Sequence, residues 1–291
     1  VLYNSPGRKD EAVDHLRHVL RTDPSHLRGT RALATLLGNP SNAEAQRLEQ
    51  RAEQLSQLAG QVTEYKATLY SSPENTEARL GLAQTHRLLG KVTDAIIQYR
   101  ALLSINPGHL SAGLQLCQLL AQHGQLEQAR ILAESLLQGN PSEPRIYLAL
   151  GNIHRMAQRP QEAQLAFAKT VEINPSYAQG WHNLGNLALV GGELQQAVEH
   201  LHKAIEAAPD HAEAHFNLGS AYLQSKQFVE ARASYENALR IDPSFIMAYY
   251  GLGNLHAQSR NPSAAKDAYS TFIQKWRGDP KTTTAVREAL D

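Results

Sequence analysis

Residues 178–211 read AQGWHNLGNLALVGGELQQAVEHLHKAIEAAPDH, and residues 212–245 read AEAHFNLGSAYLQSKQFVEARASYENALRIDPSF. Laid over one another, they align Asn183 with Asn217, Leu184 with Leu218, Gly185 with Gly219, Ala197 with Ala231 and Pro209 with Pro243. The offset of 34 residues continues in both directions. Pro73, Pro107, Pro141, Pro175, Pro209 and Pro243 form one column, and Leu82, Leu116, Leu150, Leu184, Leu218 and Leu252 another. Ala95, Ala129, Ala163, Ala197, Ala231 and Ala265 form a third. Leucine makes up 40 of the 291 residues, so an unbroken column of six is far outside chance. A fixed period of this length marks stacked supersecondary units, each burying its apolar face against the next.

The residue types in the columns carry a packing argument. Each column leucine is followed by a small residue: Ala83, Cys117, Gly151, Gly185, Gly219 and Gly253. Together with the column alanines these let two helices of one unit approach closely, and Gly185 is expected to meet Ala197. Large side chains surround that contact: Tyr147, Trp181 and Tyr249 on first helices, and Tyr99, Phe167, Tyr235 and Tyr269 on second helices. Small against large is how packed layers interdigitate. The proline ends each second helix, because the residue before it avoids the α region. Ser142, Ser176, Asp210 and Ser244 follow the prolines and are expected to cap the next helix. Gly90, Gly124 and Gly192 mark turns inside three units.

Tyr/Trp-x-x-Leu-Gly, then Ala-x-x-x-Phe/Tyr, then Pro at this period resembles the tetratricopeptide repeat (TPR). The resemblance implies an all-α, right-handed superhelical solenoid of helix-turn-helix repeats. Six regular repeats are expected over 76–279, at 76–109, 110–143, 144–177, 178–211, 212–245 and 246–279. Residues 1–26 read as a truncated first repeat, mostly its second helix, with Tyr3, Gly7, Ala12, Leu16, Val19 and Pro24 in register. The chain is therefore expected to be a piece of a longer protein. Residues 27–75 read as a degenerate repeat: Pro73 lies 49 residues after Pro24, which leaves an insertion of about 15 residues. There Ala45, Leu48, Ala52, Leu55, Ala59 and Val62 mark one helical stripe, with Ser41 or Asn42 as its cap. The expectation is one over-long helix, or two broken near Gly60. The stripe either packs back on the array or projects as a partner seam through Leu48, Leu55 and Val62, giving self-association through 41–72. Arg277 replaces the last closing proline, and residues 280–291 are expected to form a C-terminal capping helix.

Composition narrows the function. Lys+Arg and Asp+Glu are both 28, so a dedicated nucleic-acid binder is disfavoured. One local imbalance stands out, 8 acidic against 4 basic residues over 178–245. The single Cys117 rules out an internal disulfide framework and Cys-rich metal sites, and its column predicts a buried, inert thiol. No apolar run is long enough to form a transmembrane helix, and Val1-Leu2-Tyr3-Asn4 shows no basic-then-apolar signal pattern, so any targeting segment is expected to lie outside the sequence. Compartment is left open, with the cytoplasm favoured over the periplasm. His211 and His215 stand at i, i+4 but straddle a turn, so they are read as polar residues at a repeat junction. No metal, cofactor or catalytic constellation is assigned. Gly251-Leu-Gly253 lacks the preceding strand that a dinucleotide site needs.

What remains is a surface. By the resemblance, first helices line a concave face whose groove positions hold Gln115, Gln118, Asn152, Asn183, Asn186, Asn217 and Asn254, with Gln84, Arg145 and His182 nearby. An amide carries both donor and acceptor, so it can bond an extended peptide backbone whatever its side chains. The pattern resembles the asparagine ladder of O-linked N-acetylglucosamine transferases. It does not resemble the carboxylate clamp of chaperone co-factors, whose Lys and Arg positions hold Leu148, Asn183, Glu213 and Asn217 here. The expectation is a non-catalytic scaffold for a protein or peptide partner. The alternative is the substrate-recruiting region of a larger enzyme such as a glycosyltransferase.

Overall fold

The computed structural model describes residues 6–38, 42–276, 278, 282, 284 and 286. Among them lie fifteen α-helices and no strand. In order these are α1 (Pro6–Thr22), α2 (Leu27–Leu37), α3 (Ala43–Ser71), α4 (Thr76–Leu88), α5 (Val92–Ile105), α6 (Leu110–Gln122), α7 (Leu126–Gly139) and α8 (Pro144–Met156). They continue with α9 (Pro160–Ile173), α10 (Ala178–Val190), α11 (Leu194–Ala207), α12 (Ala212–Gln224), α13 (Phe228–Ile241), α14 (Ile246–Gln258) and α15 (Pro262–Lys275). From α4 onward the helices alternate between 13 and 14 residues. The chain forms two compact units, Val1–Gly139 and Asn140–Asp291.

In the first unit, α3 runs unbroken through Gly60, where nothing crowds the backbone. Asn42 caps it, accepting from the backbone N–H of Glu44 at 2.9 Å; Ser41, the other expected cap, lies outside the described residues. Ala45, Ala52 and Leu55 are buried, Leu55 at 1% exposure. Leu48 and Val62 are half-buried and Ala59 is exposed. Leu55 is thus consumed inside the chain, and the seam expected through Leu48, Leu55 and Val62 does not form one free face. The far half of α3 takes the place of a second helix: a Cβ on Gly81 of α4 would stand 2.4 Å from the Tyr65 ring.

Small-against-large packing is the rule in the second unit, but one turn away from the expected contact. A Cβ on Gly185 would stand 2.6 Å from Leu201 Cγ, so the glycine's closest neighbour is Leu201 and not Ala197. Gly151 meets Phe167, Gly219 meets Tyr235 and Gly253 meets Tyr269 in the same register. Ala163, Ala197 and Ala231 have no exposure at all, and Ala265 is buried. In the first unit Cys117 reaches the Ala129 carbonyl at 3.5 Å, so the column pair is adjacent once the first-helix residue has a side chain. Burial pushes the Cys117 thiol up to about 12.

Two local devices recur with the period. The residue six after a closing proline donates to that proline's carbonyl: Tyr147 Oη to Pro141 at 3.1 Å, Trp181 Nε1 to Pro175 at 2.8 Å, and His215 Nε2 to Pro209 at 3.1 Å. The serines do not cap as expected. Ser176 and Ser244 donate backbone N–H groups to Asn174 and Asp242 before the proline, and α8 is capped by the Glu143 carboxylate. Such Asx bonds stabilise the turn instead. Second, the turn inside each repeat takes left-handed backbone at residues 90, 124, 158, 192, 226 and 260. Three of these are glycine; Gln158, Lys226 and Arg260 adopt it with a Cβ. Of the C-terminal cap, Thr282, Thr284 and Val286 are helical and Val286 is buried; the rest lies outside the described residues.

Candidate functional site

Within Asn140–Asp291 the first helices α10, α12 and α14 touch in sequence. They form the tighter, inner layer, and α11, α13 and α15 the outer one. The inner layer carries the amides, and the structure sorts them into three kinds.

The first kind is networked across repeats. Asn217 of α12 donates its amide N–H to His182 Nε2 of α10 at 2.9 Å. The Gln179 amide lies 3.2 Å from His182 Nδ1 and donates to Asn183 Oδ1 at 3.3 Å. Asn183 is 7% exposed, and its Nδ2 is buried without a partner. An unmade hydrogen bond on a buried amide costs about 1–3 kcal/mol. The His182 ring is buried and packs against His211, centroids 4.7 Å apart. Burial, with smaller effects from His211 and Arg155, pushes its pKa down to about 4. Burial also lowers the pKa of His211, opposed by Glu213 and Asp210. Both rings are therefore neutral at pH 7.

The second kind is tied to a neighbouring tyrosine. Tyr269 Oη donates to Asn254 Oδ1 at 2.6 Å, and Asn254 borders a cavity of about 370 Å³ lined with Met247, Tyr250, Phe272 and Val286. In the first unit Tyr99 Oη donates to Gln115 Oε1 at 2.7 Å. The third kind is open: Asn152 and Asn186 are half-buried and make no side-chain hydrogen bond among the described residues, and Gln118 is exposed.

The same packing register bears on two of the amides, Asn183 and Asn217. The large second-helix residue lies 16 positions before a first-helix residue of the next repeat. Where that residue is Tyr235, the position is Gly251, and a Cβ there would stand 2.7 Å from the ring. Where it is Phe167 or Leu201, the position holds Asn183 or Asn217. Sequence reading by columns finds the amides; it does not find that Asn217 meets His182 across a repeat junction, or that Gln179 joins His182 and Asn183 within α10. The pair of His211 and His215 is split, since His215 turns to Pro209 and His211 to His182.

A tetratricopeptide repeat profile matches residues 52–109 and 182–244, and a second of the same description matches 87–153, together more than half of the chain. Comparison with curated proteins found no match. Among solved structures, PilF of Pseudomonas aeruginosa is similar at TM-score 0.62 and 15% identity, over 74% of this chain and 97% of that one. A tetratricopeptide repeat protein from Parabacteroides merdae gives TM-score 0.62 and 19% identity, over 80% and 91%. YrrB, a TPR protein with an unusual peptide-binding site, gives TM-score 0.51 and 19% identity, over 65% and 97%. At these identities the likeness is one of fold. Among the described residues no helix is long and apolar enough to cross a membrane.

Proposed function

The chain belongs to the tetratricopeptide repeat family, a protein-interaction fold, and from that premise we propose that it is a scaffold without catalysis of its own, binding an extended peptide on α8 and the inner layer of α10, α12 and α14. The observation that carries the reading is the amide–imidazole network of Gln179, His182, Asn183 and Asn217, which joins adjacent repeats and ends in an unsatisfied donor. A repeating line of paired donors and acceptors matches the spacing of peptide units better than it matches a compact small molecule. Asn152 and Asn186 extend the line with free amides. Glu193, Glu199, Glu206, Asp210, Glu213, Glu230, Glu236 and Asp242 outnumber the basic residues of the same stretch, which favours basic peptides. The test is selection of a random peptide library on the purified chain, followed by titration of the selected peptides. Peptides that bind wild type and lose affinity for Asn183→Ala with Asn217→Ala support the site. Peptides indifferent to both changes place binding elsewhere.

A further inference from the structure

At the junction of α10 and α12, His182, His211 and Glu213 each present one ligand atom, and these atoms lie within 4.8 Å of one another. We propose that the three side chains form a binding site for a divalent transition-metal ion, of which zinc is the representative. The site shares His182 with the proposed peptide-binding network, but it rests on the geometry of these three side chains and not on peptide binding.

Two imidazole nitrogens and a carboxylate oxygen are the donor set of open, three-ligand zinc sites. The same set suits cobalt and nickel and is poor for magnesium or calcium, which prefer oxygen throughout. Metal–ligand bonds of about 2.0–2.1 Å place tetrahedral donors about 3.3 Å apart, so the three atoms must draw in by about 1.5 Å at most. The cluster is built to allow that. His182 is buried and held on both ring nitrogens' sides by amides, Gln179 at Nδ1 and Asn217 at Nε2. Whichever nitrogen takes the ion displaces the amide beside it; the other nitrogen then carries the ring proton, and the amide facing it must turn its carbonyl oxygen inward to accept that N–H and orient the ring. His211 is half-buried, and Glu213 is exposed in the first turn of α12; both are free to move toward His182. His211 sits at the N-cap of α12 but makes no side-chain capping bond, so metal binding costs the helix nothing there. His215 and His202 are committed to other contacts, with the Pro209 carbonyl and with Tyr222 Oη. The positive end of α12 opposes a cation, which puts the expected affinity in the micromolar range and not the nanomolar.

The test is calorimetric titration of zinc chloride into tag-free, chelator-stripped protein, repeated with cobalt to read the visible absorption of a four-coordinate site. The expected result is one equivalent bound with micromolar affinity. His211→Ala and Glu213→Gln should each weaken it tenfold or more, with circular dichroism and melting temperature in the absence of metal unchanged. His202→Ala should bind like wild type. Absence of binding overturns the proposal. So does one-equivalent binding that survives His211→Ala, or that falls as much in His202→Ala.

Discussion

Asn217 on α12 and His182 on α10 share a 2.9 Å hydrogen bond across a repeat junction, with the amide N–H donating to the imidazole Nε2. The bond requires a lone pair on that nitrogen, so it exists only while the ring is neutral. Protonating His182 replaces an acceptor with a donor facing an amide N–H, in a buried position beside the His211 ring.

Stability should therefore fall in acid. The His182 pKa drops from its ordinary 6.5 to about 4 on folding. Between those values the unfolded chain binds the extra proton, so the folded state is favoured above pH 6.5 and loses ground as pH falls toward 4. His211 and His200 are lowered in the same direction, while Glu213 and Asp210 partly restore His211. The loss from His182 alone is on the order of 2–3 kcal/mol. Urea midpoints at pH 7.5 and 4.5 check it: wild type should lose more between the two than His182→Gln. Equal losses would place the acid sensitivity elsewhere.

The left-handed turn residues give a second prediction. Gly90, Gly124 and Gly192 take that conformation freely, whereas Gln158, Lys226 and Arg260 hold it against their Cβ at φ of 58°, 59° and 58°. The strain is about 1 kcal/mol each, partly offset by glycine's greater freedom when unfolded. Gln158→Gly, Lys226→Gly and Arg260→Gly should each stabilise by about 0.5 kcal/mol, and together should raise the melting temperature measurably. A lower melting temperature for the triple variant would show that the side chains contribute contacts that outweigh the strain.

The packing register predicts a compensating exchange. Gly151 abuts Phe167, and a methyl added to the glycine would stand 2.3 Å from the ring, while the preceding repeat carries Cys117 and Ala133 at the same two positions, both with no exposure. The volume on one helix is balanced by the other. Gly151→Cys alone should overpack and cost about 1–3 kcal/mol. Phe167→Ala alone should cost about 3–5 kcal/mol through the cavity. The double variant should lose clearly less than the sum, and chemical denaturation of all four proteins measures the coupling. Strict additivity would mean the two residues do not share one space.

These cases show which features the sequence displays. Columns are visible because Pro, Leu, Ala and Gly each meet the same demand in every repeat. The Asn217–His182 bond and the His182–His211 contact cross between unlike positions of neighbouring repeats, so no column records them. The strained Gln158, Lys226 and Arg260 are hidden because the conformation belongs to the position and not to the residue. Leu55 reads as a seam residue because a stripe shows that a face is apolar, not what covers it; α2 and α4 pack on α3.

The groove yields the last prediction. Asn254 is bonded by Tyr269 Oη at 2.6 Å, so replacing it also frees a tyrosine and confounds any loss of binding. Asn186 of α10, which makes no side-chain hydrogen bond among the described residues, is the cleanest probe, and Asn183 of α10 and Asn217 of α12 complete the set. A neutral hydrogen bond is worth about 0.5–1.5 kcal/mol net, so one Asn→Ala change should weaken a selected peptide only several-fold. The three together should weaken it about a hundredfold if the sites add. Asn217→Ala also strips His182 of its partner, so its effect should exceed that of Asn186→Ala. Because amides are uncharged, affinity should change little between 50 and 500 mM salt, except for the part contributed by basic residues of the peptide. Calorimetric titration of one peptide against wild type, the three single variants and the triple variant gives all of these values. Unchanged affinity in the triple variant would remove the inner layer of α10 and α12 from the binding site, and a steep salt dependence would replace amide recognition with charge.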